Sequence, residues 1–323
     1  MHFTTLFATV SLIGLVAAHP EPKLSLEQMA KREIESRARS VKARTCAPQI
    51  RAFEDRRRAK RGTPTKREKR QTSSTSASGP QVTGIPDDAI CVTAPEVTEG
   101  PYYINDEYVR QDIRETQEGV NVLLDVGILD TETCEPVSNA FVEIWHANST
   151  GVYGGYSGAE NAINTETFLR GGYFTNDEGI VELTTLLPRS HGAHPYYASR
   201  FFFLIFCRRI IPSRVHLDWS QTESGQLQSS SGSLLHIGQF YFDEDLNDAV
   251  FGIAPYTDNT NRRTLNENDG ILQGAIRQGD DPYIDVEYLG DDLSSGILGY
   301  ITLGVDTSAS YSIHNTNALG QGE

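Results

Sequence analysis

Apolar side chains recur at every second position from Val120 to Ile128, with Val120, Val122, Leu124, Val126 and Ile128 on one parity and Asn121, Asp125 and Gly127 among those on the other. Successive side chains of a strand point to opposite faces, so this pattern predicts a β-strand with one buried face. A turn-rich stretch over Asp130–Pro136 follows, and alternation returns over Ala140–Trp145. The same signature marks Gly171–Phe174, Ile180–Leu187, Ile237–Phe242, Ile284–Leu289 and Ile297–Val305, with Gly, Asp and Asn between them. Short strands at this spacing, without a strong helical stripe, predict an all-β sandwich of immunoglobulin-like architecture.

The first seventy residues differ in kind. Residues 25–61 have helix-forming composition with scattered apolar positions, Ile50 and Phe53 among them. Seventeen of the 28 Lys and Arg residues lie before Gln71 against seven of the 43 acidic ones, which gives +10 there and −25 beyond. Two such compositions predict separate bodies, with the arm a solvated basic helix or a disordered segment sharing no core with the rest. A second reading is a pro-segment, because Lys60-Arg61, Lys66-Arg67 and Lys69-Arg70 are dibasic pairs open to an export-pathway protease. The apolar run Phe3–Ala18 is too short to span a bilayer and ends in small residues, as a secretory signal peptide does. The expected organisation is a signal peptide over 1–18, a basic arm or pro-segment over 19–70, a linker over 71–88, the sandwich domain over 89–312 and a flexible tail over 313–323. The expected location is extracellular, with no membrane or nucleic-acid partner, because the acidic body repels anionic polymers. Of Cys46, Cys91, Cys134 and Cys207, a Cys91–Cys134 pair would close a loop around Gly100-Pro101-Tyr102-Tyr103, although three pairings are open. Asn148-Ser149-Thr150 is a glycosylation sequon.

Candidate chemistry concentrates in Thr98-Glu99-Gly100-Pro101-Tyr102-Tyr103 and in Val142-Glu143-Ile144-Trp145-His146-Ala147-Asn148. Together with Arg110-x-Asp112-Ile113 and His236-Ile237-Gly238-Gln239-Phe240-Tyr241, these segments resemble the intradiol ring-cleavage dioxygenases, specifically their secreted fungal branch, from about Ile90 to Tyr311. The resemblance implies a β-sandwich that opens catechol-type rings with O2 at a non-haem ferric ion, Fe(III), held by two tyrosinates and two histidines. Fe(III) is a hard cation that prefers anionic oxygen, which suits phenolate ligands. Carried over residue by residue, the resemblance makes Tyr103 and Tyr197 iron ligands, and it gives Arg200 and Gln239 the role of stabilising charge that develops on the substrate. His146, at a strand end beside a tryptophan, reads as structural.

Past Arg200 the resemblance breaks. The family has His-x-His, which sets two imidazoles on one face of a strand, whereas residues 201–214 run Phe-Phe-Phe-Leu-Ile-Phe-Cys-Arg-Arg-Ile-Ile-Pro-Ser-Arg. This segment reads either as the product of a missed splice boundary or as that of a non-catalytic homologue. His216, just after it, is the substitute metal ligand expected here, with His191 and His194 beside Tyr197 as further histidines. The expected partners are a small aromatic diol and O2; the rival function is a secreted sandwich that binds aromatic or cell-wall ligands without catalysis.

Overall fold

Two four-stranded sheets form the body, in the orders β4-β1-β8-β7 and β3-β2-β5-β6. The computed structural model describes residues 40–62, 102–156, 164–189, 210–261, 263–312 and 317–319, with residues 34, 38 and 100. The strands are β1 (Asn121–Asp130), β2 (Phe141–Trp145), β3 (Arg170–Phe174), β4 (Ile180–Leu186), β5 (Ile210–Leu217), β6 (Ser233–Tyr241), β7 (Asp285–Tyr288) and β8 (Ile297–Val305). Every predicted strand is present to within a few residues, and each exists for the predicted reason. Val122, Leu124, Val126 and Ile128 of β1 meet Val142, Ile144, Ile211, Val215 and Phe240 of the opposite sheet in one continuous core.

Three elements depart from the sequence reading. Strand β5 lies between β2 and β6 and pairs with both, so the segment from Ile210 onward is the middle of a sheet and no interruption of it. Helices α2 (Glu244–Phe251) and α3 (Gly270–Gln278) close one end. The latter begins at Asp269, whose carboxylate accepts from the backbone N–H groups of Ile271 and Leu272.

The largest correction concerns the arm. Helix α1 (Ala47–Arg61) is neither solvated nor separate, because it packs on the outer face of the β4-β1-β8-β7 sheet. Phe53 fits there because β1 has a glycine: a Cβ on Gly127 would stand 2.3 Å from the Phe53 ring. Around that contact the charges pair. Arg57 donates through Nε to Asp125 at 2.8 Å and through Nη1 to Thr302 at 3.0 Å, with both Arg57 and Asp125 buried. Arg58 pairs with Asp285 and with Glu287 and lies 4.3 Å over the Tyr300 ring. The composition contrast that predicted two bodies is thus the complementarity of one interface.

A disulfide joins Cys46, at the start of α1, to Cys134, in the β1–β2 connection. Cys134 is therefore not the partner of Cys91, which lies outside the described residues. A bridge across 88 residues stabilises by about 4.6 kcal/mol on the chain-entropy account. The linker, the signal peptide and the tail beyond Leu319 also lie outside the described residues, and among those described no helix is long and apolar enough to cross a membrane.

Docking of α1 has a direct check. Phe53→Ala should lower the unfolding free energy by about 3 kcal/mol, the range for emptying a buried aromatic site, read from chemical denaturation. An unchanged midpoint would return the arm to solvent.

Candidate active site

Cross-strand register decides which side chains share the second sheet's outer face. Glu143 on β2 lies opposite Arg214 on β5 and Gly172 on β3; Phe141 lies opposite His216, Trp145 opposite Arg170, and Pro212 opposite Gln239. Directly paired residues project to the same side. Glu143, Trp145, Arg170, Arg214, His216 and Gln239 therefore share one face, whereas Val142, Ile144, Ile211 and Val215 fill the core on the other.

That face is not open to water. The segment after Tyr102 crosses it, held by a bridge from Val109 to Gly172 and by Arg110 donating to the Gly172 carbonyl at 2.7 Å. Tyr103 is thereby driven beneath the sheet and fully buried. Its hydroxyl sits 3.2 Å from both carboxylate oxygens of Glu143 and 3.4 Å from Ser229 Oγ. Its ring packs edge-on to Trp145 at 4.9 Å, and the Arg214 guanidinium lies 3.4 Å from its centroid. On the far side of Glu143, His216 Nε2 stands 3.4 Å from Oε2.

A buried ion pair flanks this cluster. Arg170 donates to Glu107 at 3.1 Å and to the Tyr102 carbonyl at 2.7 Å, and its guanidinium lies over the Tyr153 and Tyr156 rings. Tyr102 stacks on Tyr153 at 4.3 Å, and the Tyr156 hydroxyl donates to the Tyr103 carbonyl at 3.0 Å. Four charged residues, Glu107, Glu143, Arg170 and Arg214, are consequently all inaccessible to solvent. Burial outweighs Arg170 and lifts the Glu107 carboxyl to about 8. Burial likewise raises the Tyr103 phenol well above its ordinary value against the opposing pull of Arg214, with Glu143 adding to the rise.

Of the residues singled out in the sequence, Tyr103 and His216 are brought together around Glu143. Gln239 is buried on the same face, with its carbonyl oxygen accepting from the Tyr241 hydroxyl at 2.8 Å. Tyr197, Arg200, His191 and His194 lie outside the described residues. His146 is apart from this cluster: its ring nitrogens sit 2.8 Å from the Ala147 carbonyl oxygen and 2.6 Å from Thr185 Oγ1 on the opposite sheet. Asn148 of the sequon donates to Gln117 and accepts from Thr150 and Val152, so its amide is used at both ends within a turn. Glu143, Arg170 and Arg214 were missed. The available signal was that Glu143 falls on the same parity as Phe141 and Trp145, two aromatic residues that no solvent-facing strand edge requires.

The described residues do not by themselves fit a ferric ion with the ligand set that the resemblance implies. They offer one phenol, one carboxylate and one imidazole. The position two before His216, where a second imidazole would stand, carries a guanidinium. No group of three His, Cys, Asp or Glu side chains able to hold a metal occurs among the described residues.

The comparisons with known proteins agree with the fold and the site-bearing strands. The family model described as Dioxygenase matches residues 92–263, over half of the chain. The chain belongs to the intradiol ring-cleavage dioxygenase family. Catechol 1,2-dioxygenase of Acinetobacter baylyi is 32% identical over 108 residues, which are 31% of this chain and 33% of that protein. Catechol 1,2-dioxygenase 1 of Acinetobacter lwoffii is 30% identical over 140 residues, 41% of this chain and 44% of that one. The chain thus spans less than half the length of these curated relatives. The solved intradiol ring-cleavage dioxygenase from Tetranychus urticae is similar over 68% of this chain and 97% of its own, at 27% identity and a TM-score of 0.53.

Burial depresses the His146 pKa from 6.5 to about 4, because the dry site between the sheets favours the neutral ring. The folded value lies below the unfolded one, so this stabilisation is complete above pH 6.5 and is lost as pH falls towards 4, amounting to about 3 kcal/mol. His146→Gln should flatten the decline in stability across that window relative to the wild type, measured by denaturation at a series of pH values. Parallel profiles would show that the ring does not titrate with folding.

Proposed function

We propose that this chain is an extracellular intradiol dioxygenase of the secreted fungal branch, acting on catechol-type aromatics. The reaction breaks the bond between the two hydroxyl-bearing carbons, each of which gains one atom of O2, and yields a cis,cis-muconate-type diacid, so no external reductant is needed. Non-haem Fe(III) is the group that the family requires for it; Tyr103, Tyr197 and His216 are proposed as the ligands this chain would bring once a second imidazole stands two residues before His216, with Arg200 proposed beside the substrate. The observation that carries the reading is the gathering of Tyr103, Glu143, His216 and Gln239 on one buried face of the strands that the family model covers.

The chain's own groups suit an ortho-diol. Glu143, between the Tyr103 hydroxyl and His216, is placed to take up a proton from a diol hydroxyl. Arg214 offsets negative charge on a diol oxygen, and its guanidinium keeps its proton at any working pH. Gln239, fixed at its carbonyl end by Tyr241, turns its NH2 group to an oxygen anion. The apolar leader Phe3–Ala18 and the Cys46–Cys134 bridge both favour an oxidising, extracellular setting.

A second reading, a non-catalytic sandwich that binds aromatic ligands, is favoured by one observation: the guanidinium of Arg214 over the Tyr103 ring. Ligand binding tests the substrate class for both. With Trp219 replaced by Phe, the fluorescence of Trp145 reports on the site. Catechol should bind at least about tenfold more tightly than its 1,3-diol isomer, a difference of about 1.4 kcal/mol. Equal affinity, or none, would remove the ortho-diol reading. O2 uptake matched by diacid formation in iron-supplied protein selects the dioxygenase, and binding without uptake selects the second reading.

A further inference from the structure

We infer that Arg214 is a built-in cation standing where this site would otherwise carry a metal ion, and that it keeps ferric iron out of the chain as written. The inference rests on the site described under Proposed function and narrows it to one position. Strand β5 is paired on both sides, so its register is fixed by two neighbours. Arg214 and His216 are separated by one residue and lie opposite Glu143 and Phe141, which puts them side by side on the face that carries Tyr103. This is the spacing at which two imidazoles would share a metal; here one of the pair is a guanidinium.

Charge makes the substitution self-consistent. Glu143 is inaccessible to solvent and requires a positive neighbour. Arg214, its cross-strand partner, is equally inaccessible and supplies a charge that no physiological pH removes. Its guanidinium lies 3.4 Å from the Tyr103 ring centroid, against the face of the phenol that would serve as an iron ligand. A trivalent cation brought into that dry space would meet a fixed positive charge at close range, and it would find only His216 on the strand to offer nitrogen. The site is thereby set for a neutral or singly ionised diol, whose oxygen the guanidinium can face.

The experiment is titration of metal-free protein with Fe(III), read by bound iron and by the visible tyrosinate band. The wild type should take up no stoichiometric iron. Arg214→His should take up about one ferric ion per chain and acquire the band. Arg214→Met, which removes the charge and adds no ligand, should bind iron more tightly than the wild type and more weakly than Arg214→His, with thermal unfolding followed for all three proteins. Stoichiometric iron with a tyrosinate band in the wild type would overturn the inference, as would a folded Arg214→Met that binds iron no better than the wild type or a folded Arg214→His that does not bind it. If Arg214→His fails to fold, the wild-type titration decides alone. Ring opening by iron-loaded Arg214→His and not by the wild type would keep both this inference and the dioxygenase reading of the site; iron uptake by Arg214→His without ring opening would keep the inference and remove that reading, and ring opening by the wild type would overturn the inference.

Discussion

A carboxylate sealed in the middle of a sheet has to be met by positive charge, and the second sheet is arranged around that requirement at Glu143. Its neighbours across the strands are Arg214 on one side and the glycine of β3 on the other, and the two groups nearest its oxygens are a phenol and an imidazole. Removing either charge alone would strand the other without water, which costs several kcal/mol. Arg170 and Glu107 repeat the arrangement a few residues away and at the same time tie down the Tyr102 carbonyl. The crossing segment that buries Tyr103 is therefore held by ion pairs as well as by packing. The Arg170–Glu107 pair on one side and the Arg214 guanidinium over Tyr103 on the other flank the aromatic layer of Tyr102, Trp145, Tyr153 and Tyr156.

Most of the sandwich was legible because its strands alternate, and they alternate because one face meets the core and the other meets something different. Strand β5 was not legible for the opposite reason. Pro212, Ser213, Arg214 and His216 are all buried, so hydrophobicity carries no period along it. A strand enclosed on both sides, with polar groups on both, looks in sequence like a loop. The two short helices beside it escaped notice because eight or nine residues hold too few turns to establish a helical stripe.

The arm was misjudged through its charge. A run of Arg and Lys ordinarily denotes a solvated face, yet Arg57 and Arg58 are among the most deeply buried large side chains in the molecule. What the arm's sequence could not show is that β1 and β7 place Asp125, Asp285 and Glu287 opposite them. The acidic excess of the body is partly the other half of that interface. On the buried face, Tyr103 and Gln239 stood out in the sequence through their flanking motifs and His216 as the histidine just past the break. Glu143, Arg170 and Arg214 did not, since charged residues in a strand are read outward until another segment is known to cover them.

The pairing of β1 with β8 is parallel and runs over nine positions from Val122–Ile297 to Asp130–Val305. These are the first and last strands of the body, so the sheet lacks its central seam until nearly the entire domain has left the ribosome. Non-local closure of this kind is slow. Helix α1, made first, also waits, because the surface that receives it includes Tyr300 and Thr302 on that last strand. Biosynthesis therefore leaves the seat of Phe53 and Arg57 incomplete until late in translation, and the strand made last completes the seat of the helix made first.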